Sequence, residues 1–128
     1  MDDFSFSPDD PQRGERGNAM AQALLGATTI PADTPFRAAA RDFVFSEVWS
    51  RPGLDRRSRI WITLACVCAA RAPTAMQTYL RVALRSGEIT MAELREFVLQ
   101  FAVFQGFPKG VEIDILLDGL EAEGADRP

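Results

Sequence analysis

The segment Ser46-Glu47-Val48-Trp49-Ser50-Arg51-Pro52-Gly53-Leu54 gathers a carboxylate, an indole, a guanidinium and a rigid turn at one helix end. In a functional reading, Glu47 is a general acid or base, Arg51 clamps a carboxylate and Trp49 walls a pocket. In a purely architectural reading, Trp49 anchors a core, Glu47 is a surface charge and Arg51 is a cation at a helix C-terminus. Tyr79 is the only tyrosine. Its phenol suits an oxyanion donor or weak acid, and equally a packed ring with one hydrogen bond. Cys66 and Cys68 point in different directions on a helix, cannot easily bridge each other, and read as small hydrophobes. Arg56, Arg57 and Arg59 read as solvated or ion-paired arginines in a helix's first turn.

Composition narrows the chemistry. The 128 residues contain no histidine and a single lysine, Lys109. Ser-His-Asp and Cys-His pairs and histidine-bearing zinc sites are therefore excluded within one chain. A Schiff base is open only to Lys109. There is no glycine-rich phosphate loop and no paired-cysteine metal motif. The net charge of −4 argues against nucleic acid as a partner. The apolar run Ile60 to Ala70 is too short to span a bilayer, and the acidic opening residues carry no apolar run. Two thiols make no secreted disulfide framework. The expectation is a cytoplasmic protein with no membrane partner.

The elements that must position these residues read as helices. A polar arm is expected over residues 1–14, one helical domain over 15–123 and a fraying tail over 124–128. Gly17 to Leu25 form a short helix ended by Gly26. Thr34-Pro35 starts a second, with Phe36, Ala39, Ala40, Phe43 and Val44 at the spacing of one face. Pro52 and Gly53 stop it. Asp55 caps a third helix, apolar nearly all round between Ile60 and Ala70, a pattern that predicts cover from a partner subunit. A strand over Ile60 to Thr63 is the rival, disfavoured by the long, Ala-rich run. Pro73 opens a fourth helix that ends at Gly87. Thr90 and Glu93 form a capping box for a fifth, with Leu94, Phe97, Val98, Phe101 and Phe104. A sixth runs from Lys109 to Glu121 with Val111, Ile115, Leu116 and Leu120 inward. The fold class is all-α, with six helices in antiparallel pairs.

The run EVWSRPGLDRRSRIWITLA closely resembles the carboxymuconolactone decarboxylase family, whose form is roughly G-E-V-W-S-R-P-G-L followed by R-x-x-R and an apolar helix. TYLRVALRSGEITMAELREFVLQFAVFQGFPKG and GNAMAQALLG resemble further family stretches, so the likeness covers about residues 15–122. It implies the six-helix alkylhydroperoxidase-like fold, a homo-oligomer (trimer or hexamer) and a small-molecule substrate. The family's named member removes CO2 from 4-carboxymuconolactone during aromatic catabolism. Glu47 and the run Trp49 to Leu54 match as they stand, Arg59 matches the arginine opening the apolar helix, and Arg81 matches a decarboxylase arginine. Ser46 replaces a glycine. The redox cysteines of the peroxidase branch fall on Ala72 and Ala75, and the shared histidine falls on Tyr79.

The resemblance implies cofactor-independent lyase chemistry. A conjugated lactone carbonyl takes the electron pair left by CO2, so the protein supplies a cation for the carboxylate, donors for the oxyanion and an acid for carbon. Glu47 and Tyr79 are the expected catalytic pair, with Trp49, Arg51 and Arg81 binding substrate. Two alternatives stay open: a tailoring cyclase, isomerase or lactone-processing enzyme of natural-product metabolism, and a non-catalytic helical scaffold.

Overall fold

A computed structural model describes residues 11–26 and 29–127. The expected arm falls outside it over residues 1–10. Among the described residues the chain is all-helical: α1 (Arg13–Leu25), α2 (Pro35–Ala39), a π-helical segment (Ala40–Val48), α3 (Arg56–Ala69), α4 (Pro73–Arg85), α5 (Met91–Gln105) and α6 (Phe107–Ala122). The helices fall into two compact units, Met1–Arg56 and Arg57–Pro128, where chain length predicts one domain. The division falls just after the Pro52-Gly53 turn.

In the first unit α1 packs on the π-helical segment. It starts earlier than the sequence suggests, because Arg13 and Gly14, assigned to the arm, are its first residues. Gly17 explains the close approach. A Cβ at Gly17 would overlap the Arg41 carbonyl oxygen, and one at Gly14 would lie 3.1 Å from Arg41 Cζ. Two glycines at i and i+3 thus leave a flat stripe on which the neighbouring backbone rests.

Thr34 caps α2 as expected, its hydroxyl accepting from the Arg37 amide at 3.1 Å, with Pro35 in the first turn. The expected inward face does not hold. Phe36 is 84% exposed, and Phe43 and Val44 are exposed too. Beyond Ala39 the backbone bonds span five residues rather than four, as in Trp49 N–H to Val44 O at 2.9 Å. Each turn then takes an extra residue, so a stripe laid out at the α-helical period drifts off the core. The buried set is Phe45, Ser46, Glu47 and Trp49.

The second unit holds α3 to α6, apart from Arg56, the first residue of α3. The run from Ile60 to Thr63 is helical, not a strand. The apolar helix α3 buries one face, Ile60, Leu64 and Cys68, and exposes Ile62, Ala65 and Cys66. Trp61 stacks at a tilt on Phe97, ring centres 5.6 Å apart, and Phe97 on Phe101 at 5.7 Å. The Thr90–Glu93 capping box forms in full, with bonds of 3.1 and 3.0 Å. Where α5 meets α6, Gly110 lies so close that its Cβ would stand 3.0 Å from that of Ala102. This fixes the rotation of α6. Gly110, Ile113, Leu117 and Leu120 face inward, while Val111 and Ile115, expected inside, are exposed, as is Phe104 on α5. On a helix apolar on both sides, periodicity cannot choose the face, and the small-residue contact does. No helix among the described residues is long and apolar enough to cross a membrane.

Two glycine substitutions separate close approach from helix propensity. Gly17→Ala is expected to lower unfolding free energy by about 1–3 kcal/mol, the cost of overpacking. Gly119→Ala, with nothing within 4 Å of the added carbon on α6, is expected to raise it by about 0.5–1 kcal/mol. Thermal unfolding followed by circular dichroism checks both signs.

Candidate active site

Glu47 sits at the end of the π-helical segment and is only 2% exposed. A buried carboxylate needs compensation, the more so near a helix C-terminus, where the backbone dipole presents partial negative charge. Compensation comes from α1. Arg13 Nε donates to Glu47 Oε1 at 3.1 Å and Arg16 Nη2 donates to the same oxygen at 3.2 Å. Both arginines stand on one face because they lie three residues apart. They reach Glu47 because Gly14 and Gly17, interleaved with them, let α1 settle on the segment. Arg13 Nη2 also donates to the Asp42 carbonyl at 3.2 Å, so the guanidinium is held at both ends. Arg41 pairs with Asp42 at 2.7 Å and holds that carboxyl below the usual range.

The two oxygens of Glu47 are unequal. Oε1 takes both arginines, whereas Oε2 is buried without a hydrogen-bond partner among the described residues, as is the Ser46 hydroxyl beside it. An unsatisfied buried oxygen is costly, and such atoms mark places where a group from outside completes the bonding. The rest of the motif finishes the helix. Ser50 Oγ donates to the Phe45 carbonyl at 2.9 Å, covering an acceptor that the wide turn leaves open. Trp49 is buried at 9% exposure, and Arg51 is exposed on the turn that follows.

Tyr79 and Arg81 lie on α4 in the second unit. Tyr79 is partly buried, which pushes its phenol above the ordinary value and keeps it a hydrogen-bond donor over a wider pH range. Arg81, two residues on, is exposed and forked onto Glu123 at 2.8 and 3.2 Å. The structure thus brings Glu47, Trp49 and Arg51 together at one helix end, and Tyr79 and Arg81 on one helix. Cys66 is exposed, while Cys68 is buried and its thiol is pushed up to about 11. Arg13 escapes a reading that assigns residues 1–14 to an arm, and Arg16 one that starts the first helix at Gly17. The signal for them is the run RGERG, two arginines at helical spacing interleaved with two glycines.

No protein-family model matches the chain. It is 35% identical over 94 residues to a nitrosuccinic acid decarboxylase of Metarhizium robertsii, covering 73% of this chain and 64% of that protein's length. It is 29% identical over 107 residues to a 4-carboxymuconolactone decarboxylase of Acinetobacter baylyi, covering 77% of this chain and 79% of the relative. These similarities, together with the intact EVWSRPGL run, support the resemblance of the chain to the carboxymuconolactone decarboxylase family.

The buried thiol sets a pH dependence of stability. Its pKa is raised on folding, so its contribution is complete below the unfolded value of 9.0 and is lost as pH climbs towards about 11. Urea unfolding is expected to show stability falling from pH 9 upward, by as much as roughly 2–3 kcal/mol at the far end. Cys68→Ala is expected to be less stable at neutral pH and to flatten the fall between pH 9 and 10. An unchanged slope in that variant would assign the dependence elsewhere.

Proposed function

We propose that the chain is a decarboxylase that works without a cofactor on a small carboxylated molecule whose carbanion is stabilised by conjugation. The substrates named for the two relatives share that property. In 4-carboxymuconolactone the electron pair left by CO2 passes into a conjugated lactone carbonyl, and in nitrosuccinate a nitro group beside a carboxylate takes it. The sink belongs to the substrate, so the protein needs to orient the carboxylate, stabilise the new oxyanion and deliver a proton.

The observation that carries this reading is Glu47: a deeply buried carboxylate, fixed through one oxygen by two arginines, with the other oxygen unpartnered. In the reading, Glu47 is a proton shuttle. The carbon–carboxylate bond breaks, CO2 leaves and its bonding pair moves into the substrate's acceptor. Oε2 takes a proton from solvent and returns it to the carbon, so one proton is consumed per CO2 released. The family pattern gives the oxyanion to the Tyr79 phenol, in place of a histidine, and the carboxylate to Arg51 and Arg81, with Trp49 in the same motif as Glu47.

The same reading makes the working protein a homo-oligomer. Phe107 and Val111 stand exposed on α6, with Val103 and Phe104 on α5 and Ile62 on α3. Exposed apolar area of this kind is what subunit contacts cover.

An assay with 4-carboxymuconolactone and with nitrosuccinate, following CO2 release by the purified protein, tests the proposal. Turnover of one of them is expected, with Glu47→Gln reducing kcat about 100-fold or more and Tyr79→Phe reducing it by a smaller factor. Turnover that survives Glu47→Gln would remove Glu47 from the chemistry. Absence of turnover on both, with reaction of other enolisable lactones, would favour a tailoring enzyme.

A further inference from the structure

The end of α3 carries an anomaly. Arg71 has φ of +53°, and among the described residues it is the one non-glycine in the left-handed region. Its amide donates to Cys68 O and that of Ala72 to Val67 O, both at 3.1 Å, closing the helix in the turn that glycine normally occupies. A Cβ makes this conformation unfavourable, so an arginine here weakens the turn relative to glycine. Its side chain forks onto Glu112 of α6, through Nε to Oε2 at 3.0 Å and through Nη2 to Oε1. With the partners 58% and 40% exposed, such a pair adds little stability. The stability of the turn therefore does not account for arginine at this position, and strain of this kind concentrates at ligand sites.

Arg71 lines a cavity of about 660 Å³, a size typical of small-molecule sites. Met76 of α4 and Ile115 and Leu116 of α6 supply apolar walls, and Gln77 brings an amide to the same cavity. Glu112 occupies Nε and Nη2 of the guanidinium and fixes its plane, which leaves the Nη1 donors for a second acceptor. We propose that this cavity binds a small molecule with a carboxylate on an apolar body. Arg71 Nη1 and the Gln77 amide hold the carboxylate, Glu112 orients the guanidinium, and Met76, Ile115 and Leu116 cover the body. All of these residues belong to the second unit, and the inference does not depend on Glu47.

Octanoate and its neutral counterpart octanamide are suitable probes on the full chain, followed by calorimetry and by amide chemical shifts. Saturable octanoate binding is expected, with shifts concentrated at Met76, Gln77 and Leu116 and octanamide binding about tenfold weaker or less, as the loss of a charge-assisted bond demands. Arg71→Gly is expected to melt at or above the wild-type temperature, because glycine suits the turn, and yet to lose about tenfold or more in octanoate affinity. Arg71→Gln repeats the affinity test without changing the backbone to glycine. Equal binding of octanamide, undiminished octanoate binding in both variants, shifts located elsewhere, or no saturable binding would each overturn the proposal.

Discussion

A carboxylate taken out of water at the negative end of a helix is the constraint around which the first unit is arranged. Glu47 is stable there only because two guanidinium groups reach it. That need dictates α1. The helix must carry arginines on one face, must lie close enough for them to reach, and must therefore present glycine where the Arg41 carbonyl crosses it. The Arg41–Asp42 pair and the bond from Arg13 to the Asp42 carbonyl extend the arrangement along the π-helical segment. One extra residue per turn places Ser46 and Glu47 inward and leaves Phe36 and Phe43 outside. Packing, charge and unusual helical geometry are thus one device, and its product is a fixed carboxylate with one oxygen unpartnered.

The second unit is ordered by different forces. Aromatic contacts run from Trp61 through Phe97 to Phe101, and a small-residue contact at Gly110 and Ala102 sets the face of α6. Ion pairs on the outer side, such as Arg95 with Asp114 and Asp118, hold α5 to α6 in solvent, where each contributes little. Apolar residues on α5, on α6 and on α3 are left outside the core that this unit builds. That exposed area is the physical basis for expecting further copies of the chain around it.

Much of this was legible in the residues. Thr34-Pro35, Pro52-Gly53, Pro73 and the Thr90–Glu93 box mark helix ends through local bonds that depend on nothing distant, and they stand where the sequence puts them. The run EVWSRPGL pointed to the family on its own. Faces of helices were less legible. Periodicity assumes an α-helical turn, which fails from Ala40 to Val48, and it assumes a single apolar side, which fails on α6. Glu47 could be singled out from its motif, but its partners could not, since Arg13 and Arg16 lie more than thirty positions away and the polar opening of the chain resembles an arm. Tyr79 and Arg81 were identified by their place in the family pattern, and the structure adds the burial of one and the ion pair of the other.

The claim on which the rest depends is that Arg13 and Glu47 are energetically bound to each other. A double-mutant cycle with Arg13→Gln, Glu47→Gln and the combined variant, read by urea unfolding at neutral pH, measures this directly. The account predicts a coupling of about 1–3 kcal/mol, with the double variant losing far less than the sum of the single losses. Additive losses, with coupling indistinguishable from zero, would contradict it.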